Sequence, residues 1–436
     1  MMISLFKLNV IYHFLFLQFL SIVGKLNDKF YVCYTNVLLF SIFSQSIFCF
    51  LHNFKVHASE ECKVSKYSVE HLSTQNVNVT FELILAENYQ ELDPSLPSTI
   101  LEIKNRGGHR CWHKHSTFLD HLLGVHNILR LWDQSLTTAR VGLLHSAYSN
   151  SYVNLALFDP KLDDERNTMS EMVGKEAEEL IYLFCIINRQ SIVVDTILAQ
   201  RKIPNMLDVP HLRNENVTVH LSSDTLRLLV VFTMADVADQ YFGWQDQLFG
   251  GFEEENSMLK PGEDDVTKHN SMALWPGLSK PGLWMSYVSE LGIVLSSFSD
   301  DDEKIPVPPI FDNCTKILLR EDEAKARDLY WSVVMDVIPN QDIINTLLEA
   351  SRLNPWFFEC HVMLAQKYLH LNENVKAEQS AKQALDLQIM WGTAYDKRMS
   401  FPAWVAWTRV LYQRAINNEG WPSNSWDVNN FGMVYF

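Results

Sequence analysis

The stretch that decides the fold runs His109-Arg110-Cys111-Trp112-His113-Lys114-His115, continues as Asp120-His121-Leu122-Leu123-Gly124-Val125 and resumes at Gly142-Leu143-Leu144-His145-Ser146-Ala147-Tyr148. Between Thr117 and Trp132 the apolar residues Phe118, Leu119, Leu122, Val125, Ile128, Leu129 and Trp132 recur at helical intervals, so the spacing predicts a helix with His121 on its apolar face. A second helix is expected from about Thr138 to His145, a third from Ser170 to Ile186 and a fourth from Ser223 to Gln240. Strand signals are sparse; Val217 to Leu221 is the best of them and has no obvious partner. The expected fold class is all-α.

Composition bounds what such a chain does. With 47% hydrophobic and 20% charged residues over 436 positions, it has the makings of a folded protein with two or three domains. Its 36 basic and 52 acidic residues give a formal charge of −16, which opposes broad contact with phosphate backbones and argues against a nucleic-acid partner. Cys33, Cys49, Cys62, Cys111, Cys185, Cys314 and Cys360 are odd in number, scattered and free of any CxxC pair, which fits free thiols and a cytoplasmic globular part. Three glycosylation sequons, at Asn78, Asn216 and Asn313, have meaning only on the secretory route.

Residues 1–56 differ from the rest. Phe30 to Phe54 contains no Asp, Glu, Lys or Arg and is long enough for a span of about 20 apolar residues. Three readings stay open: a membrane anchor through residues 30–54, an unusual targeting segment, and an extension outside the working domain. Further along, Glu253 to Val266 and Asp300 to Pro309 are rich in acids and proline and read as surface loops or linkers. Beyond residue 318 the pattern is one of paired helices. Leu364, Ala365, Tyr368, Ala377 and Ala384 fall at the intervals of a tetratricopeptide repeat, with Ala381 and Ile389 departing from it.

The chemistry concentrates on three positions. A buried helix carrying His121, a second ending at His145 and a third carrying Asp236 offer two imidazoles and one carboxylate, a set that holds one divalent metal ion with open positions. His115, Ser146 and Asp239 are candidate additional ligands, Asp239 because it lies three residues from Asp236 on the same helical face. The competing reading makes His121 a satisfied core histidine, His145 a helix cap and Asp236 an ordinary buried acceptor. Arg106, His109, Arg110, His113 and Lys114 form a candidate basic lip for an anionic ligand, against the alternative of a solvated loop. No Gly-rich phosphate loop, GxSxG elbow or HExxH sequence is present.

Asp120-His121-Leu122-Leu123-Gly124-Val125, Val141-Gly142-Leu143-Leu144-His145, Val173-Gly174-Lys175-Glu176-Ala177-Glu178-Glu179-Leu180 and Ala235-Asp236 resemble the helical core of HD-domain metal-dependent phosphohydrolases, especially the guanosine tetraphosphate hydrolases. More closely, Gly107 through Trp132, His145 through Tyr152 and Tyr241 through Gln247 are similar to an uncharacterised plant family with a tetratricopeptide-like C-terminus. With the acidic, Pro-rich stretch taken as a linker over 300–318, the chain is expected to divide into an HD-like helical domain over 82–299, on this resemblance, and tetratricopeptide-like antiparallel helices over 319–436, on their spacing. It also implies His121, His145 and Asp236 as ligands of Mn, Fe or Zn. One departure is specific: the HD pattern places an aspartate after the second histidine, where this chain has Ser146, and Ser149-Asn150-Ser151 lacks the acids that position water in the tetraphosphate hydrolases. Two functions follow: a divergent metal-dependent hydrolase of a small anionic or phosphorylated substrate, or a catalytically degenerate HD-like module joined to a platform for a protein partner. Retention of both histidines favours metal binding, with the reaction open.

Overall fold

The computed structural model describes residues 74–149, 156–241, 279–297, 305–311 and 317–424. The apolar segment 1–56, with the span expected at 30–54, and the acidic stretch 253–266 lie outside these residues. In chain order the helices are α1 Thr74–Leu85, α2 Tyr89–Leu92, α3 Leu96–Asn105, α4 Phe118–Leu131, α5 Leu136–Leu144, α6 Asp163–Val173, α7 Lys175–Ile186, α8 Ser223–Gln240, α9 Met285–Ser296, α10 Arg320–Val334, α11 Ile343–Leu353, α12 Phe358–His370, α13 Asn374–Trp391 and α14 Phe401–Ile416. A π-helical turn, Ser191–Leu198, follows α7. Two small antiparallel ribbons, β1 Trp112–His113 with β2 Ser116–Thr117 and β3 Met206–His211 with β4 Asn214–Ser222, complete an otherwise helical fold.

Local chemistry sets the boundaries of the site-bearing helices. Thr117 and Asp120 form a reciprocal capping box that starts α4, so Asp120 is occupied at the cap while His121 turns inward with Leu122 and Val125. Ser135 caps α5, which begins two residues before the expected start, and Ser222 caps α8 where it was expected. The single helix expected from Ser170 to Ile186 is two helices, because Gly174 adopts φ +92 and breaks the run. The strand at Val217–Leu221 does have a partner, Leu207–Pro210, whose Pro210 and Asp208 hide it from a strand pattern. Cys111, Cys185 and Cys360 are free thiols, and no single described helix is long and apolar enough to cross a membrane.

The two helical sets expected at 82–299 and 319–436 lie in one compact unit with one apolar core, rather than in two bodies parted by a linker. Polar bonds cross the seam. Trp132 Nε1 donates to the Met390 carbonyl at 2.9 Å, and Gln134 Nε2 donates to the Pro306 carbonyl at 2.8 Å. The buried Glu323 carboxylate of α10 accepts the backbone N–H groups of Trp284, Met285 and Ser286 at 2.8–2.9 Å, satisfying the first amides of α9 from a distant part of the chain. Glu323→Gln keeps the size but removes the charge and one acceptor oxygen. It should cost about 2 kcal/mol or more, read as a lowered urea midpoint with unchanged helical circular dichroism.

A second buried carboxyl behaves differently. Glu359 Oε1 accepts the amides of Tyr395 and Asp396, while Oε2 is sealed in the core without a partner. Burial, reinforced by Asp396, pushes this carboxyl up to about 8 despite its bonds to backbone amides. The folded chain therefore holds a proton that the unfolded chain releases near pH 4.3, and stability must fall as pH rises from there through about 8. Glu359→Gln should flatten that fall by at least about 1 kcal/mol, measured by urea titrations at pH 5, 7 and 9.

Candidate metal centre

His121 stands in the first turn of α4, His145 directly follows α5, and Asp236 lies in α8, a helix buried along nearly its whole length. All three are closed to solvent: His121 is 3% exposed, His145 5% and Asp236 1%. Helix packing brings one donor atom of each within 4.8 Å of the others. Asp236 Oδ1 faces His121 Nε2 at 3.3 Å and His145 Nε2 at 3.5 Å, and the two imidazole planes stand at 88°.

The remaining polar atoms hold these three in place. Nδ1 of His145 donates to the Gly142 carbonyl at 2.8 Å, which leaves Nε2 as the free lone pair pointing at Asp236. Nδ1 of His121 lies 2.7 Å from Asp239 Oδ2. Arg189 Nη2 donates to Asp236 Oδ2 at 2.6 Å, whereas Oδ1 is buried and makes no hydrogen bond. The chain beyond His145 is pinned as well, since Tyr148 donates to Glu178, and Arg166 grips both oxygens of the same carboxylate.

Charge follows geometry. Burial pushes His145 down to about 3, so it is neutral. Burial also disfavours a charge on His121, but the close contacts and charges of Asp236 and Asp239 outweigh it and hold the ring up at about 9. A proton and a divalent cation thus compete for His121 Nε2. Burial pushes the Asp236 carboxyl up, yet Arg189, then His145 and His121, carry it well below the usual carboxylate range.

A metal ion with bonds of about 2.0–2.2 Å separates neighbouring donors by about 2.8–3.1 Å in octahedral and about 3.3–3.6 Å in tetrahedral geometry. The spacings of 3.3 and 3.5 Å match the tetrahedral separation, and Asp236 Oδ1 is the atom that faces both imidazole Nε2 atoms. The three residues fit a divalent ion. The other candidates fall elsewhere. Asp239 sits on the far nitrogen of His121 and orients the ring rather than joining the donors. His115 is exposed on the turn between β1 and β2. Ser146 is buried in the turn after His145.

The basic lip does not form as a set. Arg106 is bound by Glu102 and Glu165, donates to the Leu157 carbonyl and covers the Phe158 ring, because a guanidinium over an aromatic face finds its acceptors locally. Arg110 donates to the His109 ring. His113 turns inward and stacks on His121 with centroids 4.5 Å apart. Lys114 occupies the turn at φ +55. Sequence reading missed Arg189, which follows an apolar helix as an isolated basic residue, and Gly124, where a Cβ would lie 2.0 Å from Asp239 Oδ1. Gly124→Ala should therefore push Asp239 off His121 and weaken metal binding about 10- to 100-fold while the helices persist, as read by metal titration beside circular dichroism.

No curated protein and no solved structure matches the chain. A family model described as a domain of unknown function (DUF6817) matches residues 102–189, the span that carries His121, His145 and Arg189. Asp236 joins the site from outside the matched segment.

Proposed function

We propose that the protein is a mononuclear divalent-metal-binding protein whose site acts as a hydrolase on a small anionic substrate. The observation that carries this reading is the buried Asp236 Oδ1, unbonded and flanked by two imidazole Nε2 atoms at 3.3 and 3.5 Å. The likeness of the segments around His121, His145 and Asp236 to HD-domain phosphohydrolases supports it. Two nitrogens and one carboxylate suit Fe(II), Mn(II) or Zn(II) and leave positions for other ligands. When bound, such an ion supplies Lewis acidity to water and to substrate oxygens. His145, fixed by the Gly142 carbonyl, presents a neutral lone pair. His121 is held in register by Asp239, and Asp236 is aimed by Arg189.

The Ser146 hydroxyl favours a second reading, in which the site binds metal or ligand without efficient turnover and helices α10–α14 form a tetratricopeptide-like platform for a protein partner. Metal analysis of the purified chain separates the classes at the first step. Wild type should carry about one ion per chain, and His145→Ala should carry essentially none while its helical spectrum is preserved. Ser146→Asp should tighten metal binding about tenfold or more by adding a carboxylate beside the site, and should raise hydrolysis of a phosphate monoester if the scaffold is catalytic. Wild-type chain free of bound metal after equilibration with Mn(II), Fe(II) and Zn(II), or His145→Ala with a full complement, overturns the metal reading.

A further inference from the structure

Resting on the metal-binding reading, we infer that Arg189 is the oxyanion-recognition residue of this site, its Nη1 donating to an oxygen of a small phosphate- or carboxylate-type ligand held against His121, His145 and Asp236. The guanidinium is fixed on two sides. Its Nη2 is tied to Asp236 Oδ2 at 2.6 Å, and its face lies over Phe232, 4.7 Å from the ring centroid. Phe232 is itself locked, stacked on Phe184 at 7° between planes and set against His145 with centroids 4.9 Å apart. Arg189 therefore cannot swing to another acceptor without giving up both its ion pair and its aromatic support.

That rigidity leaves Nη1 sealed from solvent with no hydrogen bond. A buried charged donor without an acceptor is costly, and the planar guanidinium, held at Nη2, fixes the direction of the unused N–H. An acceptor that arrives from outside removes the cost. The electrostatics select its sign, because Asp236 and Asp239 are the carboxylates bonded to the cluster, while Arg189 and a divalent ion together outweigh them. The carboxylate that the HD pattern would add is replaced by Ser146, so the excess stays positive within a chain whose net charge is −16. The Arg189 side chain is 17% exposed, beside Asp236 at 1%.

The test uses the full chain loaded with Zn(II), calorimetric titration of inorganic phosphate, a parallel acetate arm, and metal content measured on every sample. Wild type should bind phosphate. Arg189→Gln should keep its metal and bind phosphate at least about tenfold more weakly, the loss expected for one charge-assisted hydrogen bond. Acetate binding as tightly as phosphate assigns a carboxylate-type ligand; a preference for phosphate assigns a phosphoryl-type one. If Arg189→Gln sheds its metal, Arg189→Lys decides: retained metal with weakened phosphate supports the inference, while metal loss in both variants makes Arg189 a positioning residue for Asp236 and overturns it. Unchanged phosphate binding in a metal-loaded Arg189→Gln chain, or no phosphate binding by metal-loaded wild type, also overturns it and leaves the metal reading standing. A wild-type chain that takes up no metal fails earlier, at the metal reading, and takes the inference with it.

Discussion

Asp236 is a carboxylate placed where carboxylates do not ordinarily survive. It is 1% exposed on α8, whose flanking residues Leu229, Val230, Val231, Met234 and Ala235 are fully buried. An ionised carboxyl in such surroundings costs several kcal/mol unless it is matched by positive charge and hydrogen bonds. The structure answers with three groups from three other parts of the chain: Arg189 after α7, His121 in α4 and His145 after α5. Each is placed by its own local device, whether a capping box, a backbone carbonyl or an aromatic ring beneath a guanidinium. The packing angles of four segments are thereby tied to one buried charge.

The C-terminal helices take part in the same constraint. Lys397, in the loop between α13 and α14, donates to the Ala238 carbonyl at 2.7 Å and to Thr393, and its ammonium lies 5.8 Å from the Trp284 ring centroid. Asp239 exerts its charge on this lysine and bonds to His121 at the same time. A residue contributed from beyond position 390 thus supports the helix end that orients a candidate ligand. This explains physically why the two helical sets share a core: the α8 terminus is unfinished without the later chain. A disturbance at the C-terminal helices has a short covalent and polar route to His121.

Gly124 shows how strict the arrangement is. The carboxylate of Asp239 occupies the space that any other side chain at position 124 would need, so the two residues are chosen together although 115 positions separate them. The same close approach keeps α4 against α8 and places both nitrogens of His121 beside carboxylates.

Periodicity, capping residues and composition were enough to read the all-α class, the run of α4, the placement of α8 and the three residues of the donor cluster, because these depend on interactions within a few residues or on the types of residue present. His121 and Asp236 were legible because polar residues that recur on apolar helical faces demand a partner. What local pattern could not determine was direction. Whether Asp239 binds an ion or orients a ring, whether Arg106 and His113 face solvent, and where an isolated Arg189 points all depend on which side of a packed helix meets which neighbour. The same holds for Gly174, which splits one periodic run into two helices, and for Pro210, which hides a strand that only its pairing with β4 defines. Local sequence carries propensity and periodicity; the pairing of a buried charge with distant groups is set by long-range packing, where burial makes an unmatched charge too costly to persist.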